Sequence, residues 1–273
     1  MTISKVVHDQ VNFGNGPGLK GAFAGLPLGQ ALVGQPLAGH FIYQNFDEVG
    51  TTVADGLFGL KLVAATLAKG TYIGGNITLA TSNVTNNRAY YGTGNAASGF
   101  ATINRLVSDK PCAGSARFNT DLITDYSLAF GLCKSNGTIA SLLANGGEPA
   151  PTAGSYYMMC SRSAVGVQAT AGAWDAFISD GTTGTRFATN IASNAIPAAA
   201  TYLDLGLRYH PSVAGAPEMC FFINGQERAR LRLLTTLANP PAAGDYFAFA
   251  MLQTLGASIK TMSLDNHAEY GAL

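Results

Sequence analysis

Carboxylates are the groups from which most hydrolytic chemistry is built, and in this 273-residue chain they form no catalytic pattern. Retaining glycoside hydrolysis needs two carboxyl groups about 5 Å apart, and strand residues share a face when they are two apart. None of Glu48, Glu148, Glu218, Glu227 and Glu269 has a carboxylate two positions further on, and Asp121 and Asp125 lie across a turn. Calcium would need clustered oxygen ligands from one loop. The groups Asn119, Asp121, Asp125 and Asp175, Asp180 lack that loop pattern and read as solvated turn carboxylates. His8, His40, His210 and His267 show no metal-binding spacing. His210, before Pro211, reads as a turn residue, and His267 as lying just past the last strand. Gly114-Ser115 is the nearest look-alike of a nucleophile elbow, but Ala113 and Arg117 stand where the elbow needs glycines. Ser115 therefore reads as a loop serine. Gly14, Gly16, Gly18 and Gly21 lack the strand and helix that frame a dinucleotide loop. The expectation is no catalytic residue, no cofactor and no metal.

Arg228, Arg230 and Arg232 are a different signal. Period two places all three on one sheet face, opposite Ala229, Leu231 and Leu233. Like charges in a row repel unless carboxylates or a partner compensate them. The ladder reads either as a solvated face or as a contact with an acidic patch of a neighbouring subunit, with phosphate or an anionic glycan as a third option. Tyr90-Tyr91, Tyr156-Tyr157 and Trp174 could stack on sugars, although strand aromatics are more often core. Trp174 and Tyr157 are the candidate glycan contacts.

These residues must be positioned by strands. TYLDLGLRYH and EMCFFINGQERARLRL alternate with period two, and Asn224-Gly225 supplies the positive φ of a type I′ hairpin turn. Further strands are expected over 61–68, 71–82, 100–107, 126–132, 156–161, 173–179, 246–252 and 258–264. In 126–132, Tyr126, Leu128, Phe130 and Leu132 face one way. The other face has only Ser127, Ala129 and Gly131, which suits close approach of a sheet or chain. Turn signals separate the strands, and no stretch offers an amphipathic helix of three turns. The fold class expected is all-β, an antiparallel β-sandwich or jelly roll over 51–273. Residues 1–50, rich in Gly and Pro, read as an extended N-terminal arm anchored by Phe23, Leu26, Leu32, Phe41 and Ile42.

Charged residues are only 12% of the chain and the formal net charge is zero, where about a quarter charged is usual. So weakly charged a surface points to burial in an assembly, a homo-oligomer with a trimer favoured. Zero net charge argues against nucleic acid as a partner. No apolar run approaches the roughly 18 residues of a membrane span, and the first residues, MTISKVVHDQVNF, lack a signal-peptide core. Asn76-Ile-Thr78, Asn83-Val-Thr85 and Asn136-Gly-Thr138 match the glycosylation sequon but read as polar strand ends. Cys112, Cys133, Cys160 and Cys220 are widely spaced and read as buried free thiols.

Residues 100–265 resemble the concanavalin A-like (laminin-G/glucanase) jelly roll. The resemblance rests on Phe130-Gly131-Leu132, on Leu205-Gly206-Leu207, on Phe221-Phe222-Ile223-Asn224-Gly225, and on a closing strand, Ile259 to Leu264, that pairs near the start. Glucanases of that fold share an E-x-D-x-x-E strand motif, which this chain lacks. The Ala/Gly/Thr-rich, weakly charged style with a Gly/Pro arm is similar to tailed-bacteriophage head decoration, tail and fibre proteins. The expectation from these resemblances is a non-enzymatic virion structural protein, assembled in the host cytoplasm, that decorates a capsid and contacts the major capsid protein or another virion protein. The alternative is a carbohydrate-binding adhesin or a tail or fibre receptor-binding module on the same fold.

Overall fold

The structure is a computed structural model, and it describes residues 40–44, 61–63, 66–69, 76–92, 106–107, 111–120, 125–134, 145, 155–162, 173–179, 184–192, 201–213, 216–232 and 245–271. Among these, sixteen strands form and no helix does. They are β1 (His40–Gln44), β2 (Lys61–Val63), β3 (Thr66–Lys69), β4 (Ile77–Ala80), β5 (Arg88–Gly92) and β6 (Leu106–Val107). Next come β7 (Cys112–Thr120), β8 (Tyr126–Lys134), β9 (Ser155–Arg162), β10 (Trp174–Ser179) and β11 (Gly184–Ala192). The chain ends with β12 (Leu203–Val213), β13 (Ala216–Ile223), β14 (Gln226–Arg232), β15 (Asp245–Thr254) and β16 (Thr261–Gly271).

The strands make two antiparallel sheets of eight. Sheet A runs β14-β13-β12-β7-β16-β4-β3, with β1 also on β16. Sheet B runs β11-β10-β9-β8-β15-β5-β2, with β6 also on β15. The stretch 61–68, expected as one strand, is two: β2 belongs to sheet B and β3 to sheet A, so the chain changes sheets there. Within the segment read as an arm, β1 pairs with β16 and sets Phe41 opposite Tyr270. Phe23, Leu26 and Leu32 lie outside the described residues.

The expected hairpin is present. Asn224 and Gly225 have φ of 50° and 73°, the positive values a type I′ turn demands. The turn is also tied sideways to β12: Asn224 N–H donates to Asp204 O at 2.8 Å, and Asp204 N–H donates to Asn224 Oδ1 at 3.1 Å.

Alternation builds the core between the sheets. Sheet A contributes Leu205, Leu207, Met219, Phe221, Ile223, Phe118, Met262 and Leu264; sheet B contributes Tyr91, Tyr126, Leu128, Phe130, Trp174, Ala250 and Leu252. At Gly114 the backbone of sheet A packs directly on side chains of sheet B. A Cβ added there would sit 3.4 Å from Ala248 Cβ and 3.7 Å from Leu132 Cδ2, both in sheet B. Ser127, Ala129 and Gly131, on the opposite face of β8, are buried as well.

Two glycines are therefore needed for different reasons. Gly114→Val overpacks the seam and is expected to cost about 1–3 kcal/mol in urea unfolding. Gly225→Val forces a branched residue to a φ of 73° and is expected to cost roughly 1–2 kcal/mol. Equal stability of either variant and the parent would contradict the stated cause.

Candidate functional site

The outer face of sheet A gathers most of the described charge. Along β12 the inward residues are Leu203, Leu205, Leu207 and Tyr209, which leaves Asp204, Gly206, Arg208 and His210 outward. By register, Arg208 stands beside Cys220, and His210 beside Glu218. On β14, Arg230 stands opposite Cys220 and Arg232 opposite Glu218.

The arginine ladder does not have the expected form. The register of β13 and β14 shifts between Phe221 and Phe222, so Glu227 faces Phe222, Ala229 faces Phe221, and Arg228 takes the extra bulge position. The bulge breaks the period of two and puts Glu227, rather than Arg228, in line with Arg230 and Arg232. Arg230 then grips Glu227 with two hydrogen bonds, Nε to Oε1 at 2.8 Å and Nη2 to Oε2 at 2.9 Å. Its Nη1 lies 3.4 Å from Oε2 of the buried Glu218. The hydrogen bond from Arg230 holds the Glu227 carboxyl below its usual range. Arg230 is thus neutralised within its own hairpin, while Arg228 is exposed.

A second group lies at the other end of β12. Arg117 of β7 reaches two carboxylates from its flanking strands: Nη1 is 3.2 Å from Asp265 Oδ2, and Nε is 3.9 Å from Asp204 Oδ1. Its guanidinium also lies over the Tyr202 ring, 5.0 Å from the centroid. The Tyr202 hydroxyl accepts from Asn76 Nδ2 at 3.2 Å. Three polar atoms of this group are buried without a hydrogen-bond partner: Asn76 Oδ1, Asp204 Oδ1 and Arg117 Nε. Because Arg117 sits closer to Asp265, Asp204 gets the weaker contact. Burial dominates and raises its carboxyl to about 6, with Arg117 opposing and Asp265 adding to the rise.

The outer face of sheet B is polar in a different manner. Cross-strand register aligns Arg88, Gln253, Ser127 and Ser161 in one row, and Tyr90, Met251, Ala129, Met159 and Asp175 in the next. Ser127, Gln253 and Asp175 are buried, and Arg88, Ser127, Gln253 and Asp175 each have an interaction partner in the fold. Burial lowers the Arg88 guanidinium and raises the Tyr90 phenol from their ordinary values, each partly offset by the other.

Several sequence expectations are corrected here. Trp174 is fully buried in the core between the sheets, so its ring offers no face to a glycan. Tyr157 stands in β9 between Gly131 and Phe177, and its side chain lies outside the described residues. His210 is a residue of β12, which runs on through Pro211 to Val213, rather than a turn residue. Burial is the main cause that lowers its imidazole from the ordinary value, and Arg208 adds to it. His267 lies within β16, fully buried and edge-on to Tyr91 at 5.0 Å between centroids. Ser115 belongs to β7, not to a loop, and Asp175 is a buried residue of β10 rather than a solvated turn carboxylate. Asp125 is exposed at a positive φ of 53°, in keeping with a turn. Cys112 and Cys220 are buried free thiols, as expected. Asn76, Arg117, Tyr202, Asp204 and Asp265 were not legible as a group, because they come from strands far apart in sequence.

No protein-family model matches the chain, and no curated protein matches it in sequence. Solved structures do match in fold. The carbohydrate recognition domain of Emp46p, in its potassium-bound form, has a TM-score of 0.56 at 13% identity, over 84% of this chain and 96% of that one. An endo-β-1,4-glucuronan lyase from the fungus Trichoderma reesei has a TM-score of 0.52 at 6% identity, over 84% of this chain and 94% of the lyase. SCLam, a non-specific endo-β-1,3(4)-glucanase from family GH16, has a TM-score of 0.52 at 11% identity, over 85% and 90%. The fold is the concanavalin A-like jelly roll, an architecture this chain has in common with lectins and glucanases.

The environment of Asp204 gives a pH signature. Burial pushes its carboxyl up to about 6 in the fold from an ordinary 3.8, so between those values the folded state binds more protons than the unfolded one. Stability contributed by this group therefore rises as pH falls through 6 and levels off below about 4. Relative to Asp204→Asn, the parent should gain stability between pH 7 and pH 4 in urea unfolding. A gain with rising pH would show that the Arg117 contact outweighs burial.

Proposed function

We propose that the chain is a non-enzymatic carbohydrate-binding module. The observation that carries this reading is how the described carboxylates on the outer face of sheet A are held on a lectin-like sandwich. Glu227 and Glu218 face Arg230, and the space between Asp204 and Asp265 is spanned by Arg117. A glycosidase pair must leave that space to the scissile bond or to water. Asp204 could exchange a proton near pH 6, but the guanidinium stands where a substrate would have to lie. Carboxylates fixed in this way accept hydrogen bonds from hydroxyls and do not cleave. The fold supports the same ligand class, since the Emp46p domain is a carbohydrate recognition domain. Binding of the purified chain to a glycan array, with no release of reducing ends from β-glucans, is the expected outcome. Turnover of a glucan, or silence across the whole array, would overturn the reading.

A second reading, a jelly-roll subunit decorating a phage-like capsid as a homo-oligomer, is favoured by the scarcity of charge, 12% of residues. The sparse charge supports burial of the surface among neighbours, and residues 1–39 would supply the attachment. Since β1 begins at His40 and pairs with β16 of sheet A, a deletion of 1–39 removes none of the described strands. The truncated protein should keep its unfolding midpoint but fail to sediment with capsids. Undiminished attachment would remove the arm from the mechanism.

A further inference from the structure

Two outward faces could meet a ligand. On sheet B, Arg88, Ser127, Gln253 and Asp175 are each engaged within the fold, and Ser127, Gln253 and Asp175 are buried. On sheet A, the group around Arg117 is partly open to solvent and keeps three buried polar atoms without a hydrogen-bond partner. Asn76 is only 5% exposed, and one oxygen of its amide has no donor while its nitrogen is directed at Tyr202. Exchanging the amide's oxygen and nitrogen would not help, because the Tyr202 hydroxyl can satisfy only one of them. A buried acceptor left without a donor has lost its water and gained nothing in return, so this group is poised to receive a donor.

Charge balance selects the ligand. Arg117 already stands between Asp204 and Asp265, so a metal cation would meet a guanidinium and an anion would meet two carboxylates. Neutral hydroxyls fit, since each can donate to a carboxylate or amide oxygen and accept from Arg117. The side chains of Asp204, Asp265 and Arg117 are 21%, 30% and 44% exposed, which opens the group to solvent. Tyr202, half-buried beside them, adds an apolar ring.

We propose that Asn76, Arg117, Tyr202, Asp204 and Asp265, on the outer face of sheet A, form a binding site for vicinal hydroxyls of a neutral sugar. The site rests on the carbohydrate-binding reading and assigns it to one face of the sandwich. Three strands supply it: β7 gives Arg117, β16 gives Asp265 and β12 gives Asp204. Asn76 and Tyr202 sit just before β4 and β12, at the same end of the sheet.

The test is the neutral-glycan portion of a glycan array, followed by titration of the strongest hit against three variants. Asp265→Asn alters an exposed carboxylate and Asn76→Ala removes the orphaned amide. Arg88→Ala alters the outer face of sheet B. Thermal unfolding of each variant confirms that it folds, and Asp265→Asn stands alone if Asn76→Ala does not. The expected result is a Kd at least about tenfold weaker for the sheet A variants, a loss of about 1.4 kcal/mol, with Arg88→Ala within about twofold of the parent. The reverse pattern, or unchanged affinity in Asp265→Asn, overturns the site and leaves the carbohydrate reading standing. Absence of any array binding by the parent overturns both.

Discussion

The two sheets must approach closely enough to exclude water between them, and Gly114 is a point where backbone of one sheet packs directly on side chains of the other. Its missing side chain lets β7 lie against Ala248 and Leu132 of the facing sheet. On either side of it, Ala116 and Phe118 of β7 and Tyr126, Leu128 and Phe130 of β8 fill the space between the sheets. Apolar area removed from water there is the main favourable term for a chain with so little charge to work with. A methyl at position 114 would just touch Ala248, but a branched side chain would overpack this point and push against the facing sheet.

The same strand also fixes the outer face. Because side chains alternate, a β7 that turns Gly114, Ala116 and Phe118 inward must turn Arg117 outward. Arg117 is then held between β12 and β16, whose carboxylates it shares unequally at 3.9 and 3.2 Å. That inequality leaves Asp204 under-compensated, and in the same group the amide oxygen of Asn76 has no donor. Packing inside and hydrogen-bonding capacity outside are two consequences of one register.

Much of the architecture was written in local pattern. The Asn224-Gly225 hairpin, the alternation of Leu203 to Tyr209 and the inward set of Tyr126 to Leu132 each declare a face without reference to the rest of the chain. The strands missed were β1, β5, β7 and β11, and of these β7 looks least like a strand. β7 reads CAGSARFNT, small and polar enough to pass for a loop. Its strand state comes from β12 and β16 on either side, since β propensity measures fit to neighbours more than a preference of the backbone. β16 was cut short at Leu264 for a related reason. The register shift between Leu264 and Asn266 interrupts the alternation just before His267, so the buried histidine looked like the start of a loop.

The sequence alone determined the class of fold, because period-two alternation and a type I′ turn are properties of a few consecutive residues. It also determined the sparse charge and the absence of a glucanase carboxylate motif. Which side chains meet was decided only by the tertiary structure. The bulge at Arg228 broke the arginine ladder and left Arg230 paired to Glu227 and Glu218, burial took Trp174 out of reach of any ligand, and strand order brought Asn76, Arg117, Tyr202, Asp204 and Asp265 together. The physical reason is that register and burial depend on partners distant in the chain. A one-residue shift reverses the face of every side chain beyond it, and no local pattern records where that shift falls.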